Sequence, residues 1–192
     1  PKTKPKALNY ALNFADGELV CIYDAEDRPD SDQLRRTAAM LVYNADVGAV
    51  QCSLTIKNGD ESWFSRLFAI EYEALFVGLL PALDLFKMPM PLGGTSNHFR
   101  KSVLEAVGAW DPFNVTEDAD LGIRLARHGY RSTTLLSFTI EEAPISFAQW
   151  LPQRTRWFKG WIQSWLVHMR NPIQLYQDLG SVNFCVAQII MG

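Results

Sequence analysis

Apolar residues recur along this chain in two ways, as short continuous runs and at helical intervals. Leu19 to Tyr23 is a short apolar run of strand formers, and "DAEDRPD" follows it at once, which predicts a buried strand ending in an acidic loop. After Pro29, Asp30 or Ser31 stands where a helix cap would, and Leu34, Ala38, Leu41 and Val42 recur at helical spacing. "VGAVQC" (47–52) predicts the next strand. A strand, a helix and a strand on short connections predict the βαβ unit of a parallel α/β sheet.

Further along, "ESWFSRLFAIEYEALFVGLL" (61–80) predicts a long helix whose aromatics Trp63, Phe64, Phe68, Tyr72 and Phe76 are expected mostly in the core. "PLGGTSNHFRKSVLEAVGAWD" predicts a glycine turn, a short strand and a helix. In "TEDADLGIRLARHGY", Thr116 is the expected cap, Glu117, Asp118 and Asp120 suit the positive end of a helix, and Gly129 closes it. "RSTTLLSFTIEEAP" predicts one more strand. There is no internal repeat and no low-complexity linker, so one domain is expected.

Composition narrows the class without deciding it. With 192 residues, 48% hydrophobic and 20% charged, the chain has a globular balance. Its net charge of −3 argues against a general nucleic-acid binder. Charge is unevenly placed, however: Lys2, Lys4 and Lys6 precede any acid, and between Ala143 and Gln177 there is no Asp or Glu while Arg154, Arg156, Lys159 and Arg170 all fall there. Cys21, Cys52 and Cys185 are odd in number and far apart, which suits a reducing compartment better than a disulfide framework or zinc site. The first residue is Pro1, and "LGSVNFCVAQIIMG" turns apolar but is shorter than the roughly 20 residues that cross a bilayer. The expectation is therefore an excised piece: a core over 1–172 and the start of a truncated transmembrane segment over 173–192, with a buried C-terminal helix as the alternative.

Three groups carry chemistry. Asp24, Glu26 and Asp27 stand just beyond a strand end, where open α/β sheets place ligands, and hard oxygens at that spacing suit Mg2+ or Mn2+ together with a substrate phosphate; a solvated acidic turn would read the same way. Asp118 is either a helix-start acid or a general base, with Glu117 and Asp120 its neighbours in competition. In "QRTRWFKGW", Gln153, Arg156 and Trp157 fall on one helical face. Arginine grips a diphosphate through its planar fork, and indole offers a sugar ring a flat apolar surface. Trp150, Trp157, Trp161 and Trp165 also recur near helical spacing, which with basic residues suits a helix lying at a membrane surface.

In order, "KPKALN", "YDAED", "GGTSNHFR", "TEDADLG" and "QRTRW" resemble the motifs of membrane-bound family 2 glycosyltransferases of the GT-A fold, the group of cellulose, chitin and hyaluronan synthases and bacterial exopolysaccharide enzymes. The resemblance runs from about Lys4 to about Pro172. It implies an α/β domain with a mixed, mainly parallel GT-A-like sheet flanked by helices, and a C-terminal amphipathic interface helix. By the same resemblance Asp24 and Glu26 hold a divalent ion, Mg2+ or Mn2+, with Asp27 as a substitute because the second acid here is Glu. Asp118 is the catalytic base. Lys4, Gln153 and Arg156 face the donor, and Thr95, Ser96 and Trp157 face the acceptor. The implied reaction is inverting transfer from a nucleotide sugar, a UDP-sugar being the favoured donor, to a carbohydrate acceptor in polysaccharide synthesis. No nucleic acid is involved, and the implied location is the cytoplasmic face of the plasma membrane within a multi-pass protein. The early strands that hold the base in such enzymes precede this chain's first residue, so the isolated piece is expected to be inactive. Two other readings stand beside this one: a degenerate sugar- or nucleotide-binding membrane module, and a metal-dependent nucleotidyltransferase.

Overall fold

The protein is described by a computed structural model over residues 3–192. Its spine is β3 (Val47–Ile56), in which the first eight residues are buried without alternation. Such a continuous run is what a strand covered on both faces requires. On one face lie Ile22, Ala49, Phe76, Leu80, Phe99, Leu104 and Leu121, and on the other Leu41, Val47, Val50 and Cys52.

Four further strands join it: β1 (Leu19–Ile22), β2 (Arg28–Pro29), β4 (Asn97–Arg100) and β5 (Arg131–Glu141), in the order β1-β4-β3-β5-β2. β3 and β5 pair in parallel, and the other three ladders are antiparallel. β1, β3 and β5 therefore point one way and β4 and β2 the other. The 19–23 and 47–52 strands run parallel in one sheet, as the expected βαβ unit requires, but they do not pair directly, because β4 is inserted between them. Phe99 on β4 is opposite Val20 on one side and Ala49 on the other.

The helices correct several details. α1 (Lys4–Leu12), which the apolar pattern did not reveal, is tied down by Asn9, whose amide donates to Trp110 O (2.7 Å) and accepts from Trp110 N (3.1 Å). α2 (Gln33–Tyr43) begins after Asp32, not after Asp30 or Ser31. Asp30 instead accepts from Ser137 Oγ (2.9 Å) and Phe138 N (2.7 Å) on β5. The buried face of α2 is Gln33, Thr37 and Leu41, while Leu34 and Val42 are exposed. A polar cluster beneath the helix, described below, makes that face favourable.

The expected 61–80 helix starts at Trp63 behind a capping box of Ser62 and Ser65. It runs as α3 (Trp63–Glu73) through a π-helical turn (Ala74–Leu79) into α4 (Leu80–Leu85), where Pro81 has no amide to continue the ladder. Phe68 and Phe76 are core residues, whereas Trp63 is exposed. α5 (Lys101–Ala106) follows β4, and α6 (Glu117–Arg127) starts at Thr116 as expected and ends at Gly129, whose φ of 78° favours glycine. Thr116 makes no side-chain capping bond.

The basic, tryptophan-rich stretch is α7 (Phe147–His168). Its exposed apolar stripe is Phe147, Leu151, Phe158, Ile162 and Leu166, while its tryptophans are only partly exposed. α8 (Pro172–Met191) is broken at Gly180 (φ 76°, ψ 171°) and packs Leu175, Leu179 and Ala187 with Ala126, Met169 and Phe184. Trp165 Nε1 donates to Gln188 Oε1 at 2.9 Å. Among the described residues no helix is long and apolar enough to cross a membrane. A buried ionic chain locks these three helices together. Asp120 accepts from Arg124 Nε (2.7 Å) and lies 3.0 Å from His168 Nε2, and Arg127 contacts both His168 Nδ1 (3.1 Å) and Asp178 (2.8 Å).

Candidate functional site

β1 delivers Tyr23 and Asp24 to the 88–96 segment that runs into β4. The Asp24 amide donates to Asp27 Oδ2 (2.8 Å) and to Thr95 Oγ1 (3.1 Å), and the Thr95 hydroxyl donates to the same Asp27 carboxylate. The acidic turn is therefore folded onto the 93–96 loop rather than hanging in solvent. Lys4, at the start of α1, forms an ion pair with Asp24 and donates to Gly94 O at 2.7 Å. Glu26 is exposed.

Asp118 reaches the same place from α6. A Cβ built on Gly94 would stand 3.1 Å from Asp118 Oδ2, so Asp118 lies against the loop that holds Lys4. Its other oxygen accepts from Ala119 N at 2.8 Å. Burial, then the Glu117 charge, push the Asp118 carboxyl up to about 7 against the opposing pull of Lys4. Glu117 is itself raised, chiefly by burial, with Lys4 and Arg156 acting the other way.

Two members of the cluster escaped the sequence reading. Glu141, the last residue of β5, is pushed up to about 7 by burial and then by the Asp27 charge, and it lies beside Tyr72 of α3. Burial and the Glu141 charge hold Tyr72 well above the usual phenol range, and Asp118 adds to the effect. The signal was present: the carboxyl end of a parallel strand is where such sheets gather ligands, the same rule that singled out Asp24.

Thr95 and Ser96 are buried, and their hydroxyls are engaged internally. Ser96 adopts φ 57°, donates to Gln33 Oε1 (2.9 Å) and shares a 2.7 Å bond with Thr139 Oγ1. Gln33 also accepts from the Tyr23 hydroxyl (2.8 Å), which lies 3.0 Å from His98 Nε2. Burial drives His98 down to about 4, so it is neutral near pH 7. These groups build the 93–96 loop from behind.

The one helical face expected of Gln153, Arg156 and Trp157 divides in two. Gln153 and Arg156 line a cleft of about 590 Å3 with Glu142, Ala143, Pro144, Gln149 and Pro152. Gln153 Oε1 is buried there without a protein partner. Trp157 turns instead to α3, its ring 5.8 Å from that of Phe68, which in turn lies 4.7 Å from Tyr72. The acidic turn, Asp118 and the arginine–tryptophan helix thus border one region, connected through Tyr72 and Glu141.

The donor set fits a hard divalent cation. Asp24, Asp27 and Glu141 repel one another electrostatically, and Asp27 Oδ1 is buried without a partner. Among the described residues no three His, Cys, Asp or Glu side chains are gathered closely enough to hold a metal by themselves. That combination suits an ion carried by one or two carboxylates and completed by substrate phosphate oxygens.

Known proteins resemble this chain along most of its length. It is 29% identical over 163 residues to the probable glycosyltransferase YdaM of Bacillus subtilis (strain 168), which covers 83% of this chain and 38% of that protein. It is 31% identical over 144 residues to glucomannan 4-beta-mannosyltransferase 1 of Oryza sativa subsp. japonica, covering 74% of this chain and 28% of that one. The chain thus spans well under half of these curated relatives. Its fold matches the mannosyltransferase PcManGT from Pyrobaculum calidifontis, solved in complex with GDP-Man and Mn2+, with a TM-score of 0.69 at 23% identity over 99% of this chain and 55% of that one. The model for glycosyl transferase family group 2 matches residues 19–190, and the chain belongs to that family.

Proposed function

We propose that this chain is the catalytic core of an inverting glycosyltransferase that moves a sugar from a nucleotide-sugar donor to a carbohydrate acceptor in polysaccharide synthesis. One observation carries the reading. Asp118, an acid pushed up to about 7, lies against the Gly94 loop to which Lys4 and Asp24 are joined, so a proton acceptor and a phosphate-binding turn are neighbours. In a single displacement, the Asp118 carboxylate takes the proton of an acceptor hydroxyl while that oxygen bonds to the anomeric carbon. The bond from that carbon to the diphosphate oxygen breaks, and the nucleoside diphosphate leaves with the electron pair. Arg156, from the cleft it shares with Gln153, meets the charge of the leaving group. Inversion follows from attack opposite the departing bond and makes a β-linkage from an α-linked donor.

Asp24 with Glu26, or Asp27 in its place, would hold Mg2+ or Mn2+, which when bound supplies charge neutralisation for the donor diphosphate. A UDP-sugar is the donor expected from the sequence; the mannosyltransferase names among the relatives make GDP-mannose its competitor. The exposed apolar stripe of α7, with its basic residues, supports a place at the cytoplasmic face of a membrane, with 173–192 leading toward it. Asp118→Asn in the full-length protein tests the base assignment. Transfer should fall by about 10^2 to 10^4-fold, as for loss of a general base, with donor binding by titration calorimetry retained. Turnover within a few-fold of the parent would remove Asp118 from the role.

A further inference from the structure

Arg154, the first arginine of "QRTRW", has no place in the reaction above, yet it is the more enclosed of the two. Arg156 is exposed on the cleft, whereas the Arg154 side chain is only 16% exposed and forms an ion pair with Glu71 of α3. Its guanidinium carbon lies 4.6 Å from the centroid of Phe68, 4.9 Å from that of Trp157 and 5.8 Å from that of Trp150. The cation thus has aromatic rings from two helices around it and one acid to anchor it. Its position follows from its chemistry. Guanidinium is planar and weakly hydrated, so it can lie against ring faces while an edge still meets a carboxylate.

The contacts also define what the enclosure does. Trp157 has its ring-to-ring contact with Phe68, and Arg154 lies over both. Phe68 touches Tyr72, and Tyr72 lies beside Glu141 at the acidic cluster. The orientation of the Trp157 indole relative to that cluster is therefore set through Arg154 and α3.

We infer that Arg154 is a positioning residue, clamped on Glu71, Phe68 and Trp157 so that the Trp157 indole is held in the orientation that receives the acceptor sugar. The inference rests on the reading of Trp157 as the acceptor platform. A lysine at 154 keeps the charge but is a point charge on a flexible stem; it cannot lie flat against the rings or present a fork to Glu71.

The test uses the full-length enzyme, with GDP-mannose or UDP-glucose as donor and mannotetraose or cellotetraose as acceptor. Arg154→Lys should raise the acceptor KM tenfold or more while the donor KM moves less than twofold. Glu71→Gln, which leaves the ring contacts in place, should shift the acceptor KM in the same direction by a smaller factor. Trp157→Ala provides the reference. If it raises the acceptor KM and Arg154→Lys does not, the inference is overturned while the acceptor platform survives. If Trp157→Ala leaves the acceptor KM unchanged, the platform reading fails, and the inference fails with it. Equal rises in donor and acceptor KM for Arg154→Lys would also overturn it, since a general loosening of the fold gives that result.

Discussion

Where α7 crosses the start of α6, Gly160 leaves no room for a side chain, and Gly160→Ala sets two effects of opposite sign against each other. Alanine in a helix interior is favoured over glycine by about 0.8–1.0 kcal/mol. The added methyl, however, would stand 2.5 Å from both Cγ2 and Oγ1 of Thr116 and 2.9 Å from its Cβ. Thr116 has little freedom to yield. It is buried, its amide donates to Asn114 Oδ1 (3.0 Å), and Asn114 in turn donates to Ser164 Oγ one turn further along α7 (2.7 Å). Overpacking of this kind costs about 1–3 kcal/mol, and three contacts below 3.0 Å on a held side chain place it in the upper half of that range. The net expectation is a loss of about 1–2 kcal/mol in a urea titration. Restoring carbon–carbon contacts of about 3.5 Å needs a shift of roughly 1 Å between α7 and α6. A displacement of that size between substrate-holding groups costs on the order of 10^2-fold in rate, here between Arg156 and Asp118 in the roles proposed for them. Thr116→Gly in the same chain removes the offending atoms, at the loss of the bond from Thr116 Oγ1 to Asn114 Oδ1 (3.4 Å) but of no capping bond, and should restore transfer and part of the stability. A Gly160→Ala protein that gains about 1 kcal/mol and transfers normally would refute the packing argument.

The raised Asp118 carboxyl means the folded state holds a proton that the unfolded chain has already released. Stability should therefore decline as pH rises from the ordinary carboxylate range to about 7. Asp118→Asn should accordingly raise Tm more at pH 8 than at pH 4, and equal shifts at the two pH values would contradict this. Asp120 has the opposite sign: burial alone would raise it, but the His168 hydrogen bond and the Arg124 charge outweigh this and hold it low. Its contribution is present above the ordinary carboxylate range and is lost as pH falls below it. Asp120→Ala removes the carboxylate that Arg124 and His168 share, and chemical denaturation near pH 7 should show a loss of about 3–5 kcal/mol; under 1 kcal/mol would mean the chain of charges is not cooperative. At the acidic turn, Glu26→Gln should weaken Mn2+ binding, read by electron paramagnetic resonance in the presence of nucleoside diphosphate, with the Tm unchanged. Asp27→Asn should lower the Tm because it disturbs the bonds to Asp24 and Thr95. A normal Tm with lost metal affinity would make Asp27 the ligand instead.

The sequence was most legible where one physical signal dominated. The runs at 19–23, 47–52 and 131–141 became strands because continuous apolar or β-branched residues have few alternatives. The helix headed by Glu117 and Asp118 followed from its charges and Gly129. Strand order was not legible, because local pattern says nothing of β4 slipping between β1 and β3. The buried face of α2 was misread for a related reason: Gln33 and Thr37 are polar, and their burial is favourable only because Gln33 is bonded to Ser137 of β5 and to Ser96 just before β4, while Thr37 donates to Gln33 O within the helix. At the site, motif spacing drew attention to Asp24, Asp118, Gln153 and Arg156, which border one region. It could not show that Trp157 faces α3, nor that Glu141 and Tyr72 meet, since those facts depend on how α3 crosses the end of β5.

The left-handed turn at Ser96, held by Gln33 and Thr139, has a consequence for affinity. Conformational freedom in the 93–96 loop is given up when the polypeptide folds, not when a ligand arrives, so the association entropy is borne mainly by the ligand itself. Loosening Gln33, whose side chain is fully buried, would hand that ordering back to the binding step. It would then register as weaker affinity from a residue that touches nothing the enzyme binds.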